Sequence, residues 1–83
     1  MNEWHPISEP PKVDGAYLCQ ELILGMKSMS VLNYSTDLYK IDDYDFYDCK
    51  GIGGFYSYYG DYGYHVENHI EAWMELPPEY NGD

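Results

Sequence analysis

Arginine is absent from the 83 residues, and the only cationic side chains besides three histidines are Lys12, Lys27, Lys40 and Lys50. Phosphate recognition rests on clustered Arg and Lys, so the scattered lysines argue against direct nucleic-acid binding and against an anionic membrane. Cysteine is almost missing as well. Cys19 and Cys49 cannot form a staple framework and neither belongs to a C-x-x-C pair, so free thiols in a reducing cytoplasm are expected. No apolar run approaches the ~20 residues of a membrane helix. The opening "MNEWHPISEPPK" has neither a cationic start nor an apolar stretch, so no secretory leader is expected. Alanine occurs only at Ala16 and Ala72, and the scarcity of helix formers turns the reading toward strands.

What the chain does contain is acid and tyrosine. Fifteen acids against four lysines give a net charge of −11, beyond the ~2–8 typical of a small soluble domain, and the excess opposes folding through self-repulsion. If the charge lay along one side of a sphere ~30 Å wide, it would amount to about one per ~2.7 Å, against one per ~1.7 Å of duplex DNA. The eleven tyrosines outnumber what a core of this size can bury with every hydroxyl hydrogen-bonded. Seven of them stand in "YDFYDCKGIGGFYSYYGDYGYHVE", residues 44–67, beside two phenylalanines, four acids and one lysine.

The residues predict one domain over 1–83: a Pro-rich arm 1–15, a sheet core 16–76 and a short tail 77–83. The fold class is mainly β, or α+β with one short helix, built on a single antiparallel sheet of about four to five strands. "AYLCQELIL" and "KSMSVLNYS" form a hairpin, with Gly25-Met26 as a type II′ turn. That turn sets Leu22 against Met29 and Tyr17 against Tyr34. One face then carries Leu18, Leu22, Leu24, Met29 and Val31, and the other Tyr17, Cys19, Ile23, Leu32 and Tyr34. Since neither face is polar, the second is expected to be covered by more of this chain or by a second subunit. "DLYKI" and "YDFYD" are short strand candidates, "GFYSYY" is a strand, and "GDYGY" is a turn. For "HVENHIEAWMEL" a strand competes with a helix; the following Pro77-Pro78 favours a strand with Val66, Asn68, Ile70, Ala72, Met74 and Leu76 on one side.

The two ends, "WHPISEPPKVDGAYL" and "IEAWMELPPEY", resemble a family of short phage and prophage proteins of unknown function. Its members start with Trp, a Pro-rich turn and an Asp-Gly-x-Tyr-Leu lead into the first strand, and they close on a Trp-Met-Pro-Leu-Pro-like motif. The matching positions are Trp4, Pro6, Pro11, Asp14, Gly15, Tyr17, Leu18, Trp73, Met74, Leu76 and Pro77, with Glu75 where the closing motif has Pro. The resemblance implies a small sheet-containing protein in the cytoplasm of an infected or lysogenic bacterium, and no chemistry. The residues themselves suggest that the ends lie together, that the two indoles close one edge of the core, and that the prolines blunt a sheet edge.

Candidate chemistry is thin. Asp42, Asp43, Asp45 and Asp48 miss the calcium-loop pattern, because from Asp43 the fifth and sixth positions are Tyr47 and Asp48. His65 and His69 would share a helix face, but H-E-x-x-H is absent, and on a strand they would stand ~13 Å apart. The "GIGG" glycines miss the dinucleotide pattern. No metal, cofactor or catalytic set is therefore expected. Tyrosine interleaved with acid instead suits a protein-binding surface, since carboxylates attract a basic partner and phenol rings pack against it. The expected binding residues are Asp42, Asp43, Tyr44, Asp45, Tyr47, Asp48, Tyr56, Tyr58, Tyr59, Asp61 and Tyr62. The partner so implied is a basic host protein, in the sharpest form one whose nucleic-acid groove this chain occupies by mimicry. Alternatives are a small-molecule or signalling-nucleotide binder with a Tyr-rich pocket, and a phage structural accessory.

Overall fold

The computed structural model describes residues 3–77. Of the tail expected over 77–83, residues 78–83 lie outside the described residues. Strands β1 (His5–Pro6), β2 (Gly15–Ile23), β3 (Met26–Ser35), β4 (Gly54–Tyr58), β5 (Tyr64–Val66) and β6 (Ile70–Glu75) form one antiparallel sheet in the order β1-β6-β2-β3-β4-β5. The fold is mainly β, with six strands where four to five were expected. The additions are two- and three-residue edge strands: β1 lies within the Pro-rich arm, and β5 is split from β6 by residues 67–69.

The β2–β3 hairpin forms, but its register differs from expectation. The turn is Leu24-Gly25, with Ile23 opposite Met26, Gln20 opposite Met29 and Tyr17 opposite Leu32. Both turn residues have positive φ, 53° and 79°, as a type I′ turn requires and as suits the strand twist. The shift is by an even number of residues, so the composition of the two faces stands. Leu24 occupies a left-handed conformation that disfavours a bulky side chain, and it is 97% exposed. Leu24→Asn is expected to stabilise the fold by about 1 kcal/mol, seen as a rise of roughly 4–8 °C in Tm.

On the face that carries Tyr17, Cys19 and Tyr34, the core is formed by Cys19, Tyr34, Phe55, Ile70 and Trp73, with Tyr17 and Leu32 packed against it. Ile70 and Trp73, three apart, reach the same face because β6 carries a bulge at Glu71: Gln20 pairs with Ala72, and Glu21 with Ile70. This corrects the expected row in which Ile70, Ala72 and Met74 share a side. The displaced Glu71 carboxylate accepts from Gln20 Nε2 at 2.7 Å and meets Lys27 Nζ at 3.4 Å. The N-terminal segment closes this face. Ile7 N–H donates to the Glu71 carbonyl (3.1 Å), Trp73 Nε1 donates to the Glu9 carbonyl (2.9 Å), and Tyr17 Oη donates to the Val13 carbonyl (2.7 Å). The described end segments do lie together, β1 paired with β6, and Pro6 does sit on an edge strand. Only one indole enters the core, however: Trp73 is 6% exposed and Trp4 is 40%.

The other face, that of Leu18, Met29 and Val31, has two fates. At its β4–β5 end it is covered by residues 36–53, a connection whose ends are tied by Leu38 N–H to the Ile52 carbonyl (2.9 Å) and Gly51 N–H to Asp37 Oδ1 (2.8 Å). Leu38 and Phe46 are buried beneath it. The strands expected at "DLYKI" and "YDFYD" are replaced by a 3-10 turn, Leu38–Lys40, and by successive turns over 41–51. Across β6, β2 and β3 the same face meets solvent, with Met29 62% and Val31 57% exposed.

Asp14, where the chain enters β2, accepts from both the Thr36 N–H (2.7 Å) and its hydroxyl (2.9 Å) just past the end of β3. These two bonds, the backbone one foremost, hold its carboxyl below the ordinary carboxylate range. A depressed folded-state pKa contributes stability above the unfolded value and loses it as pH falls through the folded one. The urea midpoint of the wild type should therefore fall more steeply below about pH 4 than that of Asp14→Asn.

Candidate acidic aromatic surface

The connection 36–53 and the turn after β4 bring the expected site residues to one end of the sheet. Asp42 Oδ1 accepts the backbone N–H groups of Tyr44 (2.9 Å) and Asp45 (3.0 Å), an Asx turn that reverses the chain. Phe46 then drops into the interior, 3% exposed, with its ring centroid 6.4 Å from that of Tyr56 and 6.1 Å from that of Tyr64. With Phe46 anchored, its neighbours Tyr44 and Tyr47 point outward, 85% and 73% exposed. From the other side, Asp45 Oδ2 accepts the Tyr64 N–H at 2.9 Å. This bond joins the Asp-rich turns to the 3-10 turn Gly60–Tyr62, where Asp61 and Tyr62 are exposed.

Gly63 makes that joint possible. Its φ is +74°, and a Cβ built there would stand 2.5 Å from Asp45 Oδ2. Gly63→Ala is expected to break the Asp45–Tyr64 bond and destabilise the fold by roughly 1–3 kcal/mol. Loss of slow exchange at the Tyr64 amide is the measurement that checks it.

The expected site residues thus divide by role. Asp42, Asp45 and the half-buried Tyr56 build the surface from within. Asp43, Asp48 and Asp61, with Tyr44, Tyr47, Tyr58 (64%) and Tyr62 (82%), present it to solvent. Tyr59 is half-exposed; its hydroxyl donates to Glu67 Oε2, which keeps that phenol above its ordinary pKa. Lys40 and Lys50 sit in the same connection, Lys50 with its Nζ 5.5 Å from the Tyr39 ring centre, and both reduce the local negative excess. Sequence reasoning missed Phe46, Tyr64 and Gly63. Phe46 had a signal: it is the one ring without a hydroxyl in "YDFYD", hence the one that enters an interior without needing a hydrogen-bond partner.

The strand alternation expected for the aspartates does not apply, because no strand runs through residues 41–51. Among the described residues, no group of three or more His, Cys, Asp or Glu side chains is arranged to hold a metal ion. Cys19 is fully buried, and burial pushes its thiol up to about 11, the environment of an inert core cysteine. Cys49 is half-buried, and its thiol too is raised, by desolvation first and then by the adjacent Asp48.

Beside the turn, Tyr59, Tyr62, His65 and His69 line a shallow depression of about 500 Å³. His65 Nε2 lies 2.8 Å from the Tyr62 carbonyl, which fixes the imidazole against the turn. No Lys lines this depression, and the chain has no Arg.

Among the described residues no helix is long and apolar enough to cross a membrane. Comparison with protein families, with curated proteins and with solved structures returns no match to this chain.

Proposed function

We propose that this protein works by binding a basic protein surface through its acidic, tyrosine-rich end, and that the surface it covers is a nucleic-acid-binding groove of a host protein. The observation that carries the reading is the pairing of exposed phenol rings with free carboxylates around one braced joint: Tyr44, Tyr47, Tyr58 and Tyr62 with Asp43, Asp48 and Asp61. Tyrosine supplies rigid contact area with a polar tip at low entropic cost. Carboxylates that do not participate in the fold are free to steer a cationic partner and fix its orientation.

The molecule measures 42 × 37 × 26 Å, wider than a compact sphere of its length, so its overall charge density falls further below that of duplex DNA. Mimicry therefore rests on the local cluster and not on the net charge. The resemblance of the two ends to short phage proteins supplies the context, a cytoplasmic antagonist of a host defence or nucleic-acid-handling protein. Immobilised protein should retain basic nucleic-acid-binding proteins from host lysate at ~50 mM salt and release most of them by ~200 mM. Retention that is indifferent to salt, or confined to acidic proteins, contradicts the reading.

A second reading follows from the depression lined by Tyr59, Tyr62, His65 and His69. Its rings suit a planar aromatic ligand, and the lack of cations there argues for a base or nucleoside over a phosphorylated nucleotide. Shifts of the His65 and His69 ring resonances on titration with nucleosides would favour it.

A further inference from the structure

The acidic character of the chain stops abruptly at one element. From Leu22 to Thr36 there is no acid, and Lys27 is the single charge, in a protein with fifteen acids. This stretch comprises the tip of the hairpin and the whole of β3. It also holds four of the five most exposed aliphatic side chains among the described residues: Leu24 at 97%, Met26 at 73%, Met29 at 62% and Val31 at 57%.

The backbone there is unpartnered on one side. β3 pairs with β4 only at Asn33, Tyr34 and Ser35, while Tyr59 N–H turns away to the Gly63 carbonyl. Met26–Leu32 is therefore a free sheet edge. In a two-residue hairpin the residues flanking the turn, here Ile23 and Met26, exchange both hydrogen bonds. By alternation Lys27, Met29 and Val31 turn their N–H and C=O groups away from β2. The outer strands of the sheet are blunted: β1 has two residues, one of them Pro6, and β5 has three. The β3 edge has no proline and no bulge, and its one charge is engaged with Glu71.

We propose that this edge pairs with the same edge of a second copy, antiparallel about a two-fold axis at Met29. Met29 then stands opposite Met29, and Lys27 opposite Val31 of the second copy, so that all three outward-turned residues exchange both of their backbone hydrogen bonds. The register is self-complementary, as an isologous interface must be. Side chains of paired residues share a face, so the exposed Met29 and Val31 of the two copies meet in one apolar strip. Charge selects a second copy over a basic partner. Two molecules at −11 repel wherever free carboxylates face each other. β3 itself carries none, and the two acids that reach it are engaged, Glu21 with Ser30 Oγ at 2.8 Å and Glu71 with Lys27. A second copy therefore meets the least repulsion here, and a cationic protein the least attraction. The pairing uses none of the acidic aromatic residues, so it stands or falls separately from the function proposed above.

The test is the mass of the full chain in solution over a concentration series up to about 1 mM, the weak end of measurable affinities. The expected result is a rise from 9.7 kDa to twice that value, abolished in Met29→Pro. That variant removes an outward N–H and leaves the β2 ladder intact, so its circular dichroism should match the wild type. A single mass of 9.7 kDa throughout, species larger than a pair, or a pair that persists in folded Met29→Pro would each overturn the proposal. Should Met29→Pro fail to fold, amide exchange of the wild type decides. Slowing at Lys27, Met29 and Val31 with concentration supports the pairing, and concentration-independent exchange overturns it.

Discussion

Trp73→Ala is expected to leave most of the chain unfolded at physiological temperature. Trp73 is the largest side chain in a small core: its ring lies 5.0 Å from that of Tyr17 at 75°, it stacks on His5 at 4.4 Å, and its Nε1 holds the Glu9 carbonyl. Truncation removes the apolar contact, leaves a cavity between β6 and the N-terminal segment, and orphans that carbonyl. Such changes cost ~3–5 kcal/mol. A domain this short buries only ~60–65% of its unfolded surface and has little stability in reserve. The corresponding fall in Tm is roughly 12–40 °C, read by a thermal melt. Trp4→Ala, at a position 40% exposed, is the control and should cost under about 1 kcal/mol. Equal losses for the two variants would contradict the packing described here.

The second large effect is on binding. Asp43→Asn, Asp48→Asn and Asp61→Asn together remove three carboxylates that make no hydrogen bond across the fold. They should therefore leave the melting curve within a few degrees of wild type, or raise it by relieving self-repulsion. Association with a basic partner should slow by ~10-fold or more at low salt, with the difference shrinking as salt rises, because steering acts on the on-rate. Tyr44→Ala with Tyr62→Ala should do the opposite. These rings are 85% and 82% exposed and support nothing beneath them, so stability holds. Dissociation should quicken by ~30-fold, the equivalent of ~2 kcal/mol for losing aromatic anchors. Surface plasmon resonance on both variants separates the two effects. If the Asn variant acts on dissociation and the Tyr variant on association, the division of labour between charge and rings is wrong.

Much of this fold was legible in the order of residues because it follows from period two. The β2–β3 hairpin, its two face compositions and β4 all come from alternation, and the indole-and-proline ends announced a closed edge. What failed did so for identifiable reasons. The turn expected at Gly25-Met26 follows from the Gly-X pattern of a type II′ hairpin, whereas Leu24 takes up left-handed backbone with a φ of 53°, which a bulky side chain rarely adopts. The alternation of Tyr and Asp over residues 44–48 imitates a strand, and the competing signal, Asp42 capping two backbone amides, is a short-range hydrogen bond that periodicity does not register. The bulge at Glu71 left no trace in the sequence, since only pairing with Gln20 and Glu21 defines it. For the candidate surface, composition identified the segment. It could not separate Asp42, Asp45 and Tyr56, which build the end of the sheet, from the residues they display.

The most direct measurement is competition. A basic protein captured by this chain is titrated with duplex DNA while the chain is bound. The account predicts mutual exclusion: DNA displaces the wild-type chain, and displaces the Asp43/Asp48/Asp61→Asn variant at a concentration ~10-fold lower or less. A ternary complex of partner, duplex and chain, with the two ligands indifferent to each other, would contradict it.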